Sequence, residues 1–195
     1  SLMTVSENIA NSGVAGYSRR TAVAQEVTSG DIRGINGYGV RITGVGRAKA
    51  AFDVPIWMHR DDQFLYDSVV EHARLFGLKA ERQPPVDRFF TPPQQLAFGR
   101  LVVDVRHTPG HCQGGVCLAI GPAGSDPREL FVGDTLFAGS IGRTDLPGGD
   151  LDLLLTSIRT QLLVYPDATI VHSGHGPDTT IGRERRTNPY LTIAD

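Results

Sequence analysis

"HTPGHCQGG", residues 107–115, sets two histidines around a Thr-Pro-Gly turn and follows them with a cysteine and a glycine pair. Ahead of it, "RLVVDVR" (100–106) has the valine-rich texture of a strand, and "GVCLAIG" (115–121) after it is an apolar run of strand length bounded by glycines. The pattern of a strand ending in a polar, donor-bearing turn then recurs. "ELFVGDTLF" (129–137) delivers Asp134 behind a glycine, and "ATIVHSGHG" (168–176) delivers His172 and His175 around Ser-Gly. Between them "DLDLLLTSIRTQLL" (150–163) reads as a helix with Asp150 at its start, where a side-chain carboxylate accepts from the first free backbone N–H groups. Strands alternating with a helix predict a layered α/β domain, in which strand ends converge on one rim and bring distant side chains together.

Imidazole and carboxylate are donors that a borderline-soft divalent ion accepts, and such an ion lowers the pKa of a bound water to about 7. Each residue also has an ordinary reading. A lone histidine in a loop is more often a hydrogen-bonded structural residue than a ligand, and Asp134 alone could cap a turn. His59 and His72, in or beside a helix, are assigned to surface or packing roles.

The wider chain sets the limits. Its 195 residues, 40% hydrophobic and 21% charged, suffice for one domain with a buried core and predict a soluble, globular protein. The formal net charge of −2 offers no basic stripe for a nucleic acid, and the apolar runs fall far short of the ~18 residues a membrane span needs. The first residues, "SLM", have neither the basic nor the apolar region of a secretory signal, although the chain does not begin with Met and reads as a processed chain or a fragment. Cys112 and Cys117, five apart, point to opposite faces if the strand holds. They are expected to be free thiols in a reducing, cytoplasmic setting.

Two textures of sequence follow one another. Residues 1–45 are rich in Ser, Asn and Gly. "SLMTVSENIANSG" places Leu2, Val5 and Ile9 at helical spacing with Thr4 and Glu7 as a capping box, and "RTAVAQEV" and "GYGVRITGV" are strand candidates around a turn-prone stretch. From about residue 46 the alternating pattern begins. "VPIW" (54–57) is a short strand candidate. "RDDQFLYDSVVEHARLFG" (60–77) is a helix with Phe64, Leu65, Val69, Val70 and Ala73 on one face, closing at Gly77. "AERQPPVDRFFTPPQQ" (80–95), with four prolines, reads as a surface loop.

"HTPGHCQGG", "FVGDTLFAGSIGRTDLPGGD" and "VHSGHGPDTTIGRERRTNPYL", in that order, resemble the metallo-β-lactamase superfamily, and its glyoxalase II-like thioester hydrolase branch most of all. The likeness covers about 46–191. It implies an αββα sandwich with a two-metal site, usually zinc or iron, in which a bridging hydroxide attacks a carbonyl. Carried over by position, His111 is a ligand of the first metal, Asp134 the bridging carboxylate and His175 a ligand of the second. His107 and His172 match motif positions that do not touch the metals. Arg143 and Asp145, in "GSIGRTD", become structural or substrate-side residues.

The same resemblance expects an upstream T-H-x-H-x-D-H motif. Aligned on its spacing ahead of "ITGVGRAKAAF", the ligand positions hold Asn36, Tyr38, Val40 and Arg41, and no histidine occurs anywhere in 1–45. Asn36 and Tyr38 are poor zinc ligands, Val40 has no donor, and Arg41 brings a fixed positive charge. The expected fold is therefore an α/β, incomplete sandwich lacking its N-terminal strands, preceded by a short helix and a hairpin-like segment. Metal binding is expected to be weak or incomplete, with each ion short of protein ligands unless His111, Asp134 and His175 share a single one. Activity on a small-molecule thioester is expected to be near background.

"TVSENIANSGVAGYSRRTAVAQ" with "GYGVRITGV" is similar instead to the N-terminal segment of flagellar hook-associated protein 1, which implies an inter-subunit helix. Two domains follow, 1–45 and 46–195, fused at a seam near Ile42 to Gly46. The alternative functions are a structural flagellar subunit and a dead hydrolase fold kept as a binding module. Self-association through the N-terminal helix or an open sheet edge is expected.

Overall fold

In the computed structural model the described residues are 49, 54–75, 77, 82–125 and 129–192. The expected N-terminal helix and strands and the seam lie outside them, as do positions 36, 38, 40 and 41. The chain divides into two compact units, Ser1–Trp57 with Gln63–Arg88, and Met58–Asp62 with Phe89–Asp195.

In the first unit, Asp87 accepts from the Ile56 backbone N–H at 2.7 Å and pairs with Lys49. These contacts hold its carboxyl below the usual range, the Ile56 N–H having the larger effect and the Lys49 ammonium the next. The continuous helix expected over 60–77 is not formed. A 3-10 turn, Arg60–Asp62, leads into α1 (Gln63–Asp67), and a turn at Ser68 separates α1 from α2 (Val69–Leu75). The Ser68 hydroxyl joins its own backbone N–H on the Phe64 carbonyl, at 2.5 and 3.1 Å, a doubled bond of the kind that bends a helix. Phe64, placed on the apolar face by its spacing, is 42% exposed.

The second unit contains a six-stranded sheet in the order β10-β9-β6-β5-β4-β3, made of β3 (Gln94–Phe98), β4 (Leu101–His107), β5 (Val116–Pro122), β6 (Glu129–Gly133), β9 (Ile170–Ser173) and β10 (Thr179–Thr180). β1 (Trp57–His59) and β2 (Arg88–Phe90) pair separately, as do β7 (Leu136–Phe137) and β8 (Ser140–Ile141). The expected strand at 54–57 is thus shifted to 57–59. The stretch 80–95 is not wholly a surface loop, since β2 and the start of β3 lie within it. Its prolines are confined to connections, Pro84-Pro85 before β2 and Pro92-Pro93 between the strands, so neither ladder lacks a donor. β3 then pairs antiparallel with β4 along its whole length, Gln94 opposite Val105 and Phe98 opposite Leu101.

β5 explains its own apolar run. Cys117 and Ala119 face one side of the sheet and Leu118 and Ile120 the other, and all four are buried. Register carries the first face onward, Ala119 opposite Leu130 and Leu130 opposite Val171. Against it packs α3 (Leu151–Ser157), continued by a π-helical turn, Ile158–Leu162, together with Ile181 at the head of α4 (Ile181–Thr187). Leu154, Ile158, Leu162 and Ile181 are fully buried there. A short α5 (Pro189–Thr192) follows.

β4 and β6 are each antiparallel to β5, and β6 pairs parallel with β9. The strands β4, β6 and β9 therefore run in one direction, with the whole of 134–169 crossing over between the last two. Their C-terminal ends share one end of the sheet. Among the described residues no helix is long and apolar enough to cross a membrane.

Candidate metal centre

Three loops leave that shared end. His111 follows β4 by four residues, Asp134 directly follows β6, and His175 follows β9 by two. The backbone irregularity between Phe131 and Gly133 and the left-handed Gly133 (φ 52°) turn the chain sharply as Asp134 begins. Gly174 donates to the Gly133 carbonyl at 2.7 Å, which ties the His175 loop to the Asp134 loop. A Cβ at Gly174 would fall on the Asp134 carboxylate, so glycine there leaves the carboxylate its place.

The side chains meet in an ordered way. His111 Nε2 is 3.8 Å from Asp134 Oδ2, and His175 Nε2 is 3.3 Å from Asp134 Oδ1. One carboxylate thus stands between two imidazole nitrogens, one to each oxygen. Two donors sharing an ion at about 2.1 Å each lie no more than about 4.2 Å apart, and both separations fall within that reach. His111 Nδ1 lies 2.8 Å from the Arg143 carbonyl. A carbonyl only accepts, so Nδ1 carries the proton and the Nε2 lone pair is left toward Asp134. His175 stacks on Phe137, ring centroids 5.0 Å apart.

The remaining predicted residues sit around this group. The Arg143 guanidinium is engaged by Asp145 through two 2.7 Å bonds, Nε to Oδ1 and Nη2 to Oδ2. That pairing lowers the Asp145 carboxyl to about 2 and raises the Arg143 pKa. What Arg143 offers His111 is its carbonyl, not its charge. His172 is buried between Glu129 and Asp178, 3.0 Å from each, and lies 4.7 Å from the Phe131 ring. His107 donates through Nε2 to the Gln113 carbonyl at 2.9 Å.

Among the described residues, the only group of three whose possible donor atoms all lie within 4.8 Å of one another is His59, Asp61 and His107. His111, Asp134 and His175 do not form such a group. Each histidine reaches a different oxygen of Asp134. As for His59 and His107, their rings are stacked at 4.3 Å and inclined by only 14°, so their in-plane lone pairs run alongside each other and do not converge on one point. Burial, and then the neighbouring His107, lowers the His59 pKa.

Both cysteines are free. Cys112 lies before β5 and not on it, and donates to Asp62 Oδ2 at 3.1 Å; burial first, and then Asp62, pushes its thiol well up. Cys117 is buried beside Thr108 at 3.1 Å, and burial pushes its thiol up to about 11. Nothing in their local sequence marks Asp62 or Phe137 as neighbours of these loops, because only the tertiary fold brings them there.

Comparison with known proteins accords with this geometry. Residues 41–175 match the metallo-beta-lactamase superfamily. A hydroxyacylglutathione hydrolase of Haemophilus influenzae is 41% identical over 145 residues, covering 73% of this chain and 66% of that protein, so the chain spans just under two thirds of this relative's length. An uncharacterized protein of Mycobacterium tuberculosis is 35% identical over 191 residues, covering 92% of this chain and 83% of its own length, a match that extends into residues 1–45. Among solved structures, the B3 metallo-beta-lactamase BLEG-1 superposes with a TM-score of 0.67 at 41% identity, covering 76% of this chain and 70% of that one. TTHA1623 in a di-iron-bound form superposes with a TM-score of 0.65 at 42% identity, covering 75% and 70%. Metal binding is thus a property of similar proteins, and the chain belongs to the metallo-beta-lactamase superfamily.

Proposed function

We propose that this chain is a metal-dependent hydrolase of the thioester-cleaving type, acting on small S-acyl thiols such as S-acylglutathione, with metal binding and turnover impaired by its N-terminal segment. The reading rests on one observation, the Asp134 carboxylate standing between His111 Nε2 and His175 Nε2. Two imidazole nitrogens and a carboxylate make a nitrogen and oxygen donor set that suits zinc or iron. When bound, either ion supplies Lewis acidity and lowers the pKa of a water to about 7. His111 and His175 would each hold one ion and Asp134 both, while the Arg143 carbonyl keeps His111 in the ligating tautomer. The hydroxyacylglutathione hydrolase from H. influenzae supports the thioester class. The impairment follows from Asn36, Tyr38, Val40 and Arg41, which offer no imidazole or carboxylate where the resemblance places them.

Metal analysis of the purified chain after loading with zinc or iron and dialysis tests this. Fewer than two equivalents should remain, falling further in His111→Ala, Asp134→Asn and His175→Ala. Asn36→His, Tyr38→His, Val40→Asp and Arg41→His together should raise both metal content and hydrolysis of an S-(hydroxyacyl)glutathione. Two firmly held equivalents in the unaltered chain would overturn the impairment, and retention indifferent to the three substitutions would overturn the site. The two free cysteines support a cytoplasmic setting. β3, an edge strand among the described residues, supports self-association, which sedimentation at increasing concentration reads directly.

A further inference from the structure

The turn that carries His111 is held from two sides. On its N-terminal side the Ser157 hydroxyl donates to the Pro109 carbonyl at 2.8 Å and the Asp150 N–H to the Gly110 carbonyl at 2.7 Å, so the two ends of α3 anchor the residues before His111. On its C-terminal side the Cys112 and Gln113 carbonyls accept from the Gly110 N–H at 3.0 Å and from His107 Nε2 at 2.9 Å, and one carboxylate takes the donors that remain. Asp62, in the 3-10 turn Arg60–Asp62, accepts from the Gly114 N–H on Oδ1 at 2.7 Å and from the Cys112 thiol on Oδ2 at 3.1 Å. The approach is so close that a Cβ at Gly114 would lie 2.7 Å from Asp62 Cγ and 2.8 Å from its backbone nitrogen. Gly114 is buried, so no water replaces this bond if the carboxylate is removed.

We propose that Asp62 is a positioning residue for the metal centre. By fixing the backbone immediately after His111, it holds the imidazole where Nδ1 meets the Arg143 carbonyl and Nε2 faces Asp134. Asp62 touches neither His111 nor Asp134 and acts through the turn, fifty residues away in sequence. This inference rests on the metal-site reading above. Groups that orient a ligand from behind commonly change metal affinity by about 10–100-fold when removed.

The test uses the full chain and two readouts. In the metal-free protein, long-range 1H–15N correlation reports which ring nitrogen of His111 bears the proton. The unaltered chain should show Nδ1–H, and Asp62→Ala should lose that preference. Asp62→Asn, which keeps an oxygen for Gly114 but presents an amide that cannot accept from Cys112, should lose it only partly. In the second readout, Co2+ titrated against a competing chelator should bind Asp62→Ala about 10–100-fold more weakly. Leu162→Ala, in the core, serves as a control for lost stability and should bind cobalt as the unaltered chain does. An unchanged His111 tautomer in Asp62→Ala overturns the positioning role, as does an equal loss of cobalt affinity in Leu162→Ala at matched thermal stability. Failure of the metal-site reading looks different: the unaltered chain binds no cobalt, while the tautomer comparison still decides what Asp62 does.

Discussion

Glu184, on α4, is fully buried, and its replacement by alanine should be among the most damaging single changes in the second unit. Its Oε1 accepts from the Thr179 hydroxyl at 2.5 Å, and its Oε2 accepts from the Gly139 N–H at 2.8 Å and from Asn188 Nδ2 at 2.9 Å. Alanine strands all three donors. Gly139 is exposed, so water replaces its partner cheaply; Thr179 and Asn188 are buried, and while one hydrogen of Asn188 Nδ2 keeps the Ser140 carbonyl at 3.0 Å, the other and the Thr179 hydroxyl lose their acceptor. Each buried donor left without an acceptor costs about 1–3 kcal/mol, so the change should cost about 2–6 kcal/mol. A domain holds only about 5–15 kcal/mol in total, which makes this a large fraction. Glutamine behaves differently. Its carbonyl oxygen can keep Gly139 and Asn188, and its amide can donate to Thr179, whose hydroxyl accepts as readily as it donates, so the loss should be about 1 kcal/mol. Urea denaturation followed by circular dichroism measures both, read as a shift of midpoint at constant slope. An alanine variant within about 1 kcal/mol of the parent, or a glutamine variant as damaged as the alanine one, refutes the reasoning.

Four further outcomes are expected. Leu154→Ala removes a fully buried side chain from the centre of the core and should cost about 3–5 kcal/mol in the same denaturation measurement. Gly174→Ala drives a methyl into the Asp134 carboxylate, so metal content by mass spectrometry should collapse while the far-ultraviolet circular dichroism keeps its shape. Cys117, buried and with its thiol pushed up to about 11, should resist a thiol reagent at pH 8 until urea unfolds the chain; prompt labelling of the folded protein would refute its burial. Asp145, lowered to about 2 from an ordinary 3.8, should titrate near its ordinary value in Arg143→Met when followed by carboxyl 13C resonances. A depressed carboxyl favours the folded state above the unfolded pKa, so any contribution of this exposed pair is complete above about pH 5 and fades as the pH falls toward 2.

What could be read in the chain and what could not divide along a physical line. β4, β5, β6 and β9 announce themselves by apolar runs that end in glycine, and Asp150 caps α3 by accepting from the Leu153 N–H at 2.9 Å, as its position implied. The meeting of His111, Asp134 and His175 at one end of the sheet likewise follows from placing polar turns after strands. β2 and β3 were hidden because proline suppresses strand character locally, while register with β4 decides the matter from outside. α4 was hidden because "IGRERRT" carries four charges and little apolar period, and its helix starts from the Thr180 hydroxyl accepting from Arg183. Asp62 and Glu184 lie in runs, "RDD" and "RERR", that read as solvated surface. The fold gives them buried work to do, Gly114 for Asp62 from 52 residues away, and the buried Thr179 and Asn188 for Glu184 from either side of it in sequence.

The parallel pairing of β6 with β9 has a temporal side. A ribosome releases Asp134 well before His175, and the two meet only after the entire crossover through α3 has folded back and closed a long loop, a step whose entropic cost delays it. A nascent or truncated chain that stops short of β9 holds His111 and Asp134 but lacks His175. The grouping of the two imidazoles about one carboxylate thus exists only once synthesis has passed the final strands.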